Sequence, residues 1–99
     1  MLNQVVLVGR LAKEPTQVNE GKAIITLAVP NSFKNANGEY DTNFIDIVLW
    51  NGIATNTMEY CKQGDIIGVK GRIQRLEGQD LQIVAEKITF LSSKKNEED

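Results

Sequence analysis

Hydrophobic and polar positions alternate along much of this chain, with the period of two that is typical of half-buried β-strands. Turn-forming residues separate these stretches, notably a turn-rich segment at residues 13–21 and the pair Asn37–Gly38. The pattern predicts five strands, at residues 2–11, 23–29, 43–51, 65–75 and 81–91. We therefore expect a protein built mainly from β-strands.

One segment repeats its hydrophobic residues with the period of an α-helix. Five residues share one side of it: Ala54, Met58 and Cys61, flanked by Ile53 and Thr57. The spacing predicts a helix over residues 52–63, and Gly64 stands where a glycine commonly caps a helix C-terminus. Because this side would plug one end of a barrel, we expect Cys61 to be a buried core thiol and not a reactive one.

The order of three strands, one helix and two strands is that of the OB-fold. This is an all-β, five-stranded Greek-key barrel, here with one short α-helix between strands 3 and 4. Gly9 predicts a bulge or sharp bend in the first strand, while Gly68 and Gly71 permit the coiling that barrel closure requires. Residues 1–91 are predicted to form this single domain, and the polar, aperiodic residues 92–99 a disordered charged tail.

Composition argues against several classes of function. The 99 residues suffice for one small domain, and no apolar run approaches the roughly 20 residues of a membrane helix. Residues 1–4 do not begin a secretory signal, and a single cysteine fits a reducing cytoplasm. Without histidine, a metal site or His-assisted catalysis is not expected, and Asp46 has no evident acid–base partner. We expect no cofactor and no enzymatic activity.

Three aromatic residues are predicted on the solvent side of the sheet. Phe44 and Trp50 lie six positions apart on the half-polar face of the third strand, and Phe33 ends the preceding strand. The opposite, core face of the third strand is purely aliphatic: Ile45, Ile47 and Leu49. Large rings on a sheet surface suit stacking with unpaired bases. The alternative, and the commoner role of a strand aromatic, is packing against a second layer such as a partner subunit.

The net charge of −2 does not favour nucleic-acid binding, but the placement of the charges does. Many acidic residues fall in predicted turns or in the tail, whereas basic residues, Lys87 among them, recur on predicted strands or at their ends. The candidate DNA-binding polar residues are Arg10, Lys34, Lys70, Arg72, Gln74 and Arg75. A solvated surface explains each of them singly, and only their convergence on the rings would make a binding groove.

The first strand is apolar on both faces over residues 5–8. One face can cover the core of so small a barrel, and the other then requires a second subunit. We expect an oligomer interface at Val5, Val6 and Val8, formed by edge-to-edge or face-to-face pairing of first strands.

Four segments in order resemble the DNA-binding domain of bacterial and phage single-stranded DNA-binding proteins: residues 1–11, 25–29, 44–50 and 64–73. The opening segment and the Gly-Val-Lys-Gly-Arg stretch are the most specific of them. The resemblance implies a cytoplasmic, nucleoid-associated homotetramer, a dimer of dimers. It implies binding of single-stranded DNA with little sequence preference, which protects the strand during replication, recombination or repair. It also implies that bases stack on Phe33, Phe44 and Trp50.

The chain departs from that family at two places. The hairpin at residues 75–79 is short and offers only Leu76 where many relatives have an aromatic residue. Cellular relatives carry a long tail that recruits replication and repair enzymes, whereas this chain ends in the charged residues 94–99. This ending indicates either a truncated form or a naturally tail-less form. The charged residues at the end favour the tail-less form. The alternative function is a replication-restart or primosome component that acts mainly through protein contacts.

Overall fold

A computed structural model describes residues 1–93 and shows a six-stranded sheet that closes into a barrel. The elements are β1 (Val5–Leu11), β2 (Thr16–Asn19), β3 (Lys22–Pro30), β4 (Thr42–Trp50), α1 (Asn51–Tyr60), β5 (Ile66–Gln74) and β6 (Gln82–Ser92). The strands follow the order β1-β5-β6-β4-β3-β2, and an additional β1–β3 pairing closes the ring. The predicted five-stranded barrel with one helix is therefore confirmed, with α1 between β4 and β5.

The sixth strand, β2, lies in the segment predicted as turns. It pairs antiparallel with β3 outside the closed ring, through a hairpin at Gly21, whose φ is 78°. All four residues of β2 are exposed. A strand with neither side buried has no alternation of hydrophobic and polar residues, so the sequence pattern could not reveal it.

Barrel closure depends on a close approach of β1 to β3 at Gly9. A Cβ atom on Gly9 would lie 2.7 Å from the Ala28 carbonyl oxygen and 2.9 Å from Val29 Cγ2. Only glycine fits this space. The register of β1 against β5 runs without a break through Gly9, so the predicted bulge does not occur there.

The inner faces of the five ring strands form the core. The aliphatic core face predicted for the third strand is confirmed, since Ile47 and Leu49 are fully buried and Ile45 packs against the core cluster. The largest fully buried side chains are Leu11, Ile25, Leu27, Ile47, Leu49, Ile67, Val69 and Val84. No buried side-chain nitrogen or oxygen within residues 1–93 lacks a hydrogen-bond partner.

Helix α1 packs against the core with most of the predicted residues, and Met58 is the exception. Ala54, Thr57 and Cys61 are buried, whereas Met58 is exposed. The helix ends at Tyr60, earlier than predicted, and Gly64 adopts a positive φ of 96° within the following turn, so it is not the C-cap. The prediction of a buried Cys61 is confirmed. Burial raises the pKa of its thiol, and the nearby negative charge of Asp65 adds to this effect.

The β5–β6 hairpin extends beyond the barrel, which changes the surroundings of Ile73. This residue lies on the same side of β5 as Ile67 and Val69, but it is exposed. Strand β6 pairs with β4 only at Ile83 and Val84, and Ile73 lies opposite Ile83 at the edge of that pairing. Beyond this point no strand formed by residues 1–93 pairs with the hairpin.

Strand β1 turns two of its valines outward. Val6 is 65% exposed and Val8 54% exposed, on the same side of the strand. Val5, which was grouped with them as an interface residue, lies on the opposite side with Leu7 and is half-buried. The apolar outer surface of β1 therefore consists of Val6 and Val8.

The described ends of the chain differ slightly from the predicted boundaries. The first strand begins at Val5, and the Asn3 side chain instead hydrogen-bonds the backbone N–H and C=O of Ile73. Strand β6 includes Ser92, and most of the predicted tail, residues 94–99, lies outside the described residues. In the part of the chain from residue 1 to residue 93, no helix is long and apolar enough to cross a membrane.

We predict that Gly71→Ala lowers the free energy of unfolding by about 1–3 kcal/mol, because overpacking forces the strands apart. A Cβ atom on Gly71 would lie only 2.3 Å from the Val84 carbonyl oxygen, beside the β5–β6 register shift. Urea unfolding followed by circular dichroism, at one fixed protein concentration, measures the change.

Gly68→Ala is the matched control on the same strand. A Cβ atom there would meet its nearest neighbour, Leu91 Cδ1, at an ordinary 3.8 Å. We expect its stability to stay within about 1 kcal/mol of the unsubstituted protein. Equal stability of the two variants would contradict the tight packing of Gly71 against Val84.

Candidate nucleic-acid interface

The β3–β4 pair presents one face to the core and one to solvent. Directly opposite residues of an antiparallel pair share a face. The outer face comprises five such pairs: Lys22 with Trp50, Ile24 with Val48, Thr26 with Asp46, Ala28 with Phe44, and Pro30 with Thr42. Phe44 is 67% exposed and Trp50 43% exposed, so the predicted solvent-side placement of both rings is confirmed. Between them, Val48 is buried although it points away from the core cluster.

Phe33 occupies a different position from the one predicted. Strand β3 ends at Pro30, and Phe33 follows in the loop at residues 31–41, where it is 71% exposed. Proline has no N–H to continue a strand ladder, which explains the end of β3. The ring therefore projects from a loop beside the sheet and not from the sheet itself.

Side-chain hydrogen bonds give this loop its shape. The Asn35 side-chain oxygen accepts hydrogen bonds from the backbone N–H groups of Asn37 and Glu39, and its amide donates to Asp41 at 3.0 Å. Gly38 completes the predicted tight turn with a φ of 79°. This network supports the part of the loop that follows Phe33.

Lys34 lies in the same loop, next to Tyr40, an aromatic residue that was not among the predicted binding residues. Its Nζ atom is 5.9 Å from the centre of the Tyr40 ring. Tyr40 is exposed and follows the Asn37–Gly38 turn. The sequence signal that could have indicated an exposed Tyr40 is its position between a turn and a strand. The loop thus offers two exposed rings, Phe33 and Tyr40, and one cation.

Trp50 is held at the junction of β4 and α1, where the strand enters the helix without a loop. The chain changes direction at Asn51, whose φ of 52° lies in the left-handed region that asparagine tolerates better than most residues. The Asn51 N–H donates to the Gly21 carbonyl at 2.8 Å. The backbone beside the ring is therefore fixed on both sides.

A lysine that sequence reasoning missed lies over the Trp50 ring. The Nζ atom of Lys22 is 5.3 Å from the ring centre, within the range of a cation–π interaction. Lys22 is directly opposite Trp50 in the β3–β4 register. Only the strand register brings the two residues together, so no local motif could indicate the contact.

Two arginines border the outer face, one on β1 and one on β5. Each lies in a row, meaning a line of directly opposite residues that runs across neighbouring strands. Arg10 of β1 lies opposite Ala28 and therefore in the row of Phe44, and its Nη1 donates to the Gly64 carbonyl at 3.1 Å. Arg72 of β5 lies opposite Val84, which pairs with Val48. The predicted Arg10 and Arg72 are thus brought to the same surface as the rings.

Neighbouring side chains hold Arg72 in place. Its guanidinium is 3.4 Å from the Glu86 carboxylate and donates to the Gln74 side-chain oxygen at 3.2 Å. The predicted Gln74 is half-buried and serves here as a support for the arginine. The exposed Glu86 pair contributes little to stability, in keeping with ion pairs in water.

The remaining predicted cations, Lys70 and Arg75, lie on β5 and just after it. Lys70 lies two residues before Arg72 on the same side of β5, directly opposite both Val6 and Lys87. Lys87 was not among the predicted contacts, and it adds a positive charge beside Lys70. Arg75 lies beyond the end of β5, in the hairpin loop, where its Nε donates to the Gln79 carbonyl at 3.2 Å.

The resulting surface combines exposed rings with cations on several sides. It lacks the grouping of ligands that metal chemistry requires, since no three His, Cys, Asp or Glu side chains within residues 1–93 are placed to hold an ion. Its geometry suits an extended polyanion that also carries flat aromatic groups.

Comparisons with known proteins are consistent in the family they indicate. The model of the single-strand binding protein family matches residues 2–94. Single-stranded DNA-binding protein B of Bacillus subtilis is 40% identical, over 98% of this chain and 96% of its own length. Single-stranded DNA-binding protein 3 of Listeria innocua is 44% identical, over 97% of this chain and 68% of its own length.

Solved structures share the fold. The Plasmodium falciparum SSB complex with ssDNA matches with a TM-score of 0.71 and 20% identity, covering 93% of this chain and 97% of that one. The small single-stranded DNA-binding protein from Streptomyces coelicolor matches with a TM-score of 0.67 and 24% identity, covering 92% and 95%. At these identities the likeness extends to the barrel fold alone.

We predict that Asn51→Val lowers the free energy of unfolding by about 1–2 kcal/mol, because a β-branched residue is strained at a positive φ. Asn51→Gly removes the same side chain without that strain, and should stay within about 0.5 kcal/mol of the unsubstituted protein. Urea unfolding of the two variants in parallel measures the difference. A valine variant as stable as the glycine variant would refute a strained junction after Trp50.

Proposed function

The chain belongs to the single-strand binding protein family, and we propose that it binds single-stranded DNA on the outer face of the β3–β4 pair. The observation that carries this proposal is the exposure of Phe44 and Trp50 on one sheet surface, with no layer of residues 1–93 packed over them. The rings lie six strand positions apart, a distance of roughly 20 Å, which leaves room for several nucleotides between two stacked bases.

Cations around the rings would neutralise the phosphates. Arg10 and Arg72 border the outer face, Lys22 lies over Trp50, and Lys34 accompanies Phe33 in the adjoining loop. Lys70 and Lys87 would continue the path along β5 and β6, with Arg75 at the hairpin. Phosphate contacts and ring stacking do not depend strongly on base identity, so overall sequence preference is weak.

This mode of binding needs no chemistry beyond association. The protein would cover exposed single strands during replication, recombination or repair without enzymatic activity. The location that corresponds to this role is the cytoplasm, in association with the nucleoid. Phe44 and Trp50 project from paired strands, so little conformational freedom is lost when DNA binds.

We predict that oligo-dT quenches the emission of Trp50, the only tryptophan, and that duplex DNA does so far less. In the same titration, Phe44→Ala should weaken binding by about 1–3 kcal/mol, the usual contribution of one base stacked on an aromatic residue. Its stability should be nearly unchanged, because the ring is outside the core.

Two control variants separate binding from folding. Tyr60→Ala removes an exposed ring at the end of α1, away from the outer face, and should leave affinity unchanged. Ile47→Ala empties a fully buried site and should reduce stability by about 2–5 kcal/mol. The proposal fails if the folded Phe44→Ala variant binds like the unsubstituted protein. Affinity that is insensitive to salt would instead favour the protein-binding alternative.

A second copy of the chain is proposed to cover Val6 and Val8. Leu91 lies beside them, since its Cδ1 would be 3.8 Å from a Cβ on Gly68, the residue opposite Val8. Strand β1 pairs with β3 only at Arg10 and Leu11, so its edge at residues 5–8 remains available to another strand. Pairing across a two-fold axis would satisfy this edge. The tetramer, as a pair of dimers, follows the family resemblance.

We predict that Val6→Lys dissociates the assembly, because it places a charge in an apolar contact next to Lys70. Light scattering coupled to size exclusion measures the molar mass. Val18→Lys adds the same charge at an exposed valine of β2 and should leave the mass unchanged. A monomeric unsubstituted protein at micromolar concentration would disprove the proposed assembly.

A further inference from the structure

Tyr40 is an exposed aromatic residue that continues the line of the outer-face rings. The β3–β4 pairing extends past Thr42, since the Asn31 N–H donates to the Asp41 carbonyl at 2.8 Å. Thr42 is on the outer face, and alternation assigns Tyr40, two residues earlier, to the same side. The Tyr40 side chain is 56% exposed. It is therefore available to a ligand that lies along this face.

Hydrogen bonds hold the backbone on both sides of Tyr40. On one side, the Glu39 carbonyl accepts from the Asn35 N–H at 2.7 Å, and the Glu39 N–H donates to the Asn35 side-chain oxygen at 3.0 Å. On the other side, the Asp41 carboxylate accepts from the Asn35 amide at 3.0 Å. A ring on a fixed backbone loses little conformational freedom when a ligand stacks on it.

Lys34 adds a positive charge to this ring. Its Nζ atom is 5.9 Å from the centre of the Tyr40 ring, within the range of a cation–π interaction. At the other end of β4, Lys22 lies over Trp50 in the same way, at 5.3 Å. A ring with an adjacent cation matches the two repeating parts of a single strand, the base and the phosphate.

Tyr40 is close enough to the other rings for one strand to reach all of them. It lies four residues before Phe44, a separation of at most about 14 Å. The distance from Phe44 to Trp50 is larger, roughly 20 Å. A strand that stacks on Phe44 and Trp50 therefore needs only a short extension to contact Tyr40.

We propose that Tyr40 and Lys34 form a further nucleotide-binding site, in which a base stacks on the Tyr40 ring and Lys34 neutralises the adjacent phosphate. This inference rests on the proposed binding of single-stranded DNA to the outer face. It extends the DNA path from the sheet onto the loop at residues 31–41. Stacking depends little on base identity, so the site adds affinity without adding sequence preference.

The test uses the full chain and oligo-dT of about twelve nucleotides, within the range that one OB-fold covers. Tyr40→Leu keeps an apolar side chain but removes the ring. We expect it to weaken binding about 5- to 150-fold, the contribution of one base stacked on an aromatic residue. Tyr40→Phe keeps the ring and should bind like the unsubstituted protein. Trp50 emission reports both titrations.

Tyr60→Leu is the matched control. It removes a tyrosine ring that is 68% exposed at the end of α1, and it should leave affinity unchanged. Equal losses in the Tyr40→Leu and Tyr60→Leu variants would overturn the proposed site, as would unchanged affinity in Tyr40→Leu. Circular dichroism of each variant confirms that the titrations compare folded proteins.

Photochemical crosslinking tests direct contact, which a purely structural role of Tyr40 in the loop would not produce. With iododeoxyuridine in place of thymidine, ultraviolet light joins a base to an aromatic side chain that touches it. We expect a crosslink at Tyr40, located by mass spectrometry, that disappears in the Tyr40→Leu variant. Crosslinks at Phe44 or Trp50 without one at Tyr40 would refute the contact.

Lys34→Gln tests the phosphate contact separately. It should flatten the slope of log affinity against log salt by about one, the effect of losing one phosphate contact. Tyr40→Leu should leave this slope unchanged, because the ring carries no charge. An unchanged slope in Lys34→Gln would overturn the assignment of the lysine.

The failure of this inference is distinguishable from the failure of the proposed function. If oligo-dT does not bind the unsubstituted protein, the proposed function is wrong. If oligo-dT binds, and neither the affinity nor the crosslinks involve Tyr40, the function stands and the loop site is refuted.

Discussion

The architecture depends on strand β1, which pairs with two neighbouring strands, β5 and β3. Arg10 of β1 is opposite Ile66 of β5 and also opposite Ala28 of β3, so the strand passes from one partner to the other at this residue. The passage requires the absence of a side chain at Gly9, where backbone and side-chain atoms of β3 approach within 3 Å of an added Cβ. Without this crossing the sheet would stay open, with β1 far from β3.

Closure determines what the outer face can do. In a closed ring the inner residues of β3 and β4 meet a shared core, whereas the outer residues point away from it, and no layer formed by residues 1–93 covers Phe44 or Trp50. Rings such as Phe44 therefore stay accessible and yet rigid. The same closure aligns Arg10 with the row of Phe44, which places a cation beside a ring across three strands.

The features that depend on the local spacing of hydrophobic residues were predicted from the sequence. The features that depend on the pairing register of distant strands were missed. Ile47 and Leu49 were assigned to the core because alternation is unambiguous when one side of a strand is buried. Met58 was placed on the wrong side because a short helix can be rotated about its axis and still bury a similar set of residues. The loop position of Phe33 depends on where β3 ends. The contact of Lys22 with Trp50 depends on the pairing of segments that are distant in the sequence.

The opposition of Lys70 and Lys87 across β5 and β6 has a thermodynamic consequence. Like charges directly opposite each other in a sheet raise the free energy of the folded state. An anion placed between them removes this repulsion, so part of its binding energy appears as added resistance to unfolding. Simple salts, by screening the pair, should stabilise the free protein under the same conditions in which they weaken its hold on a polyanion.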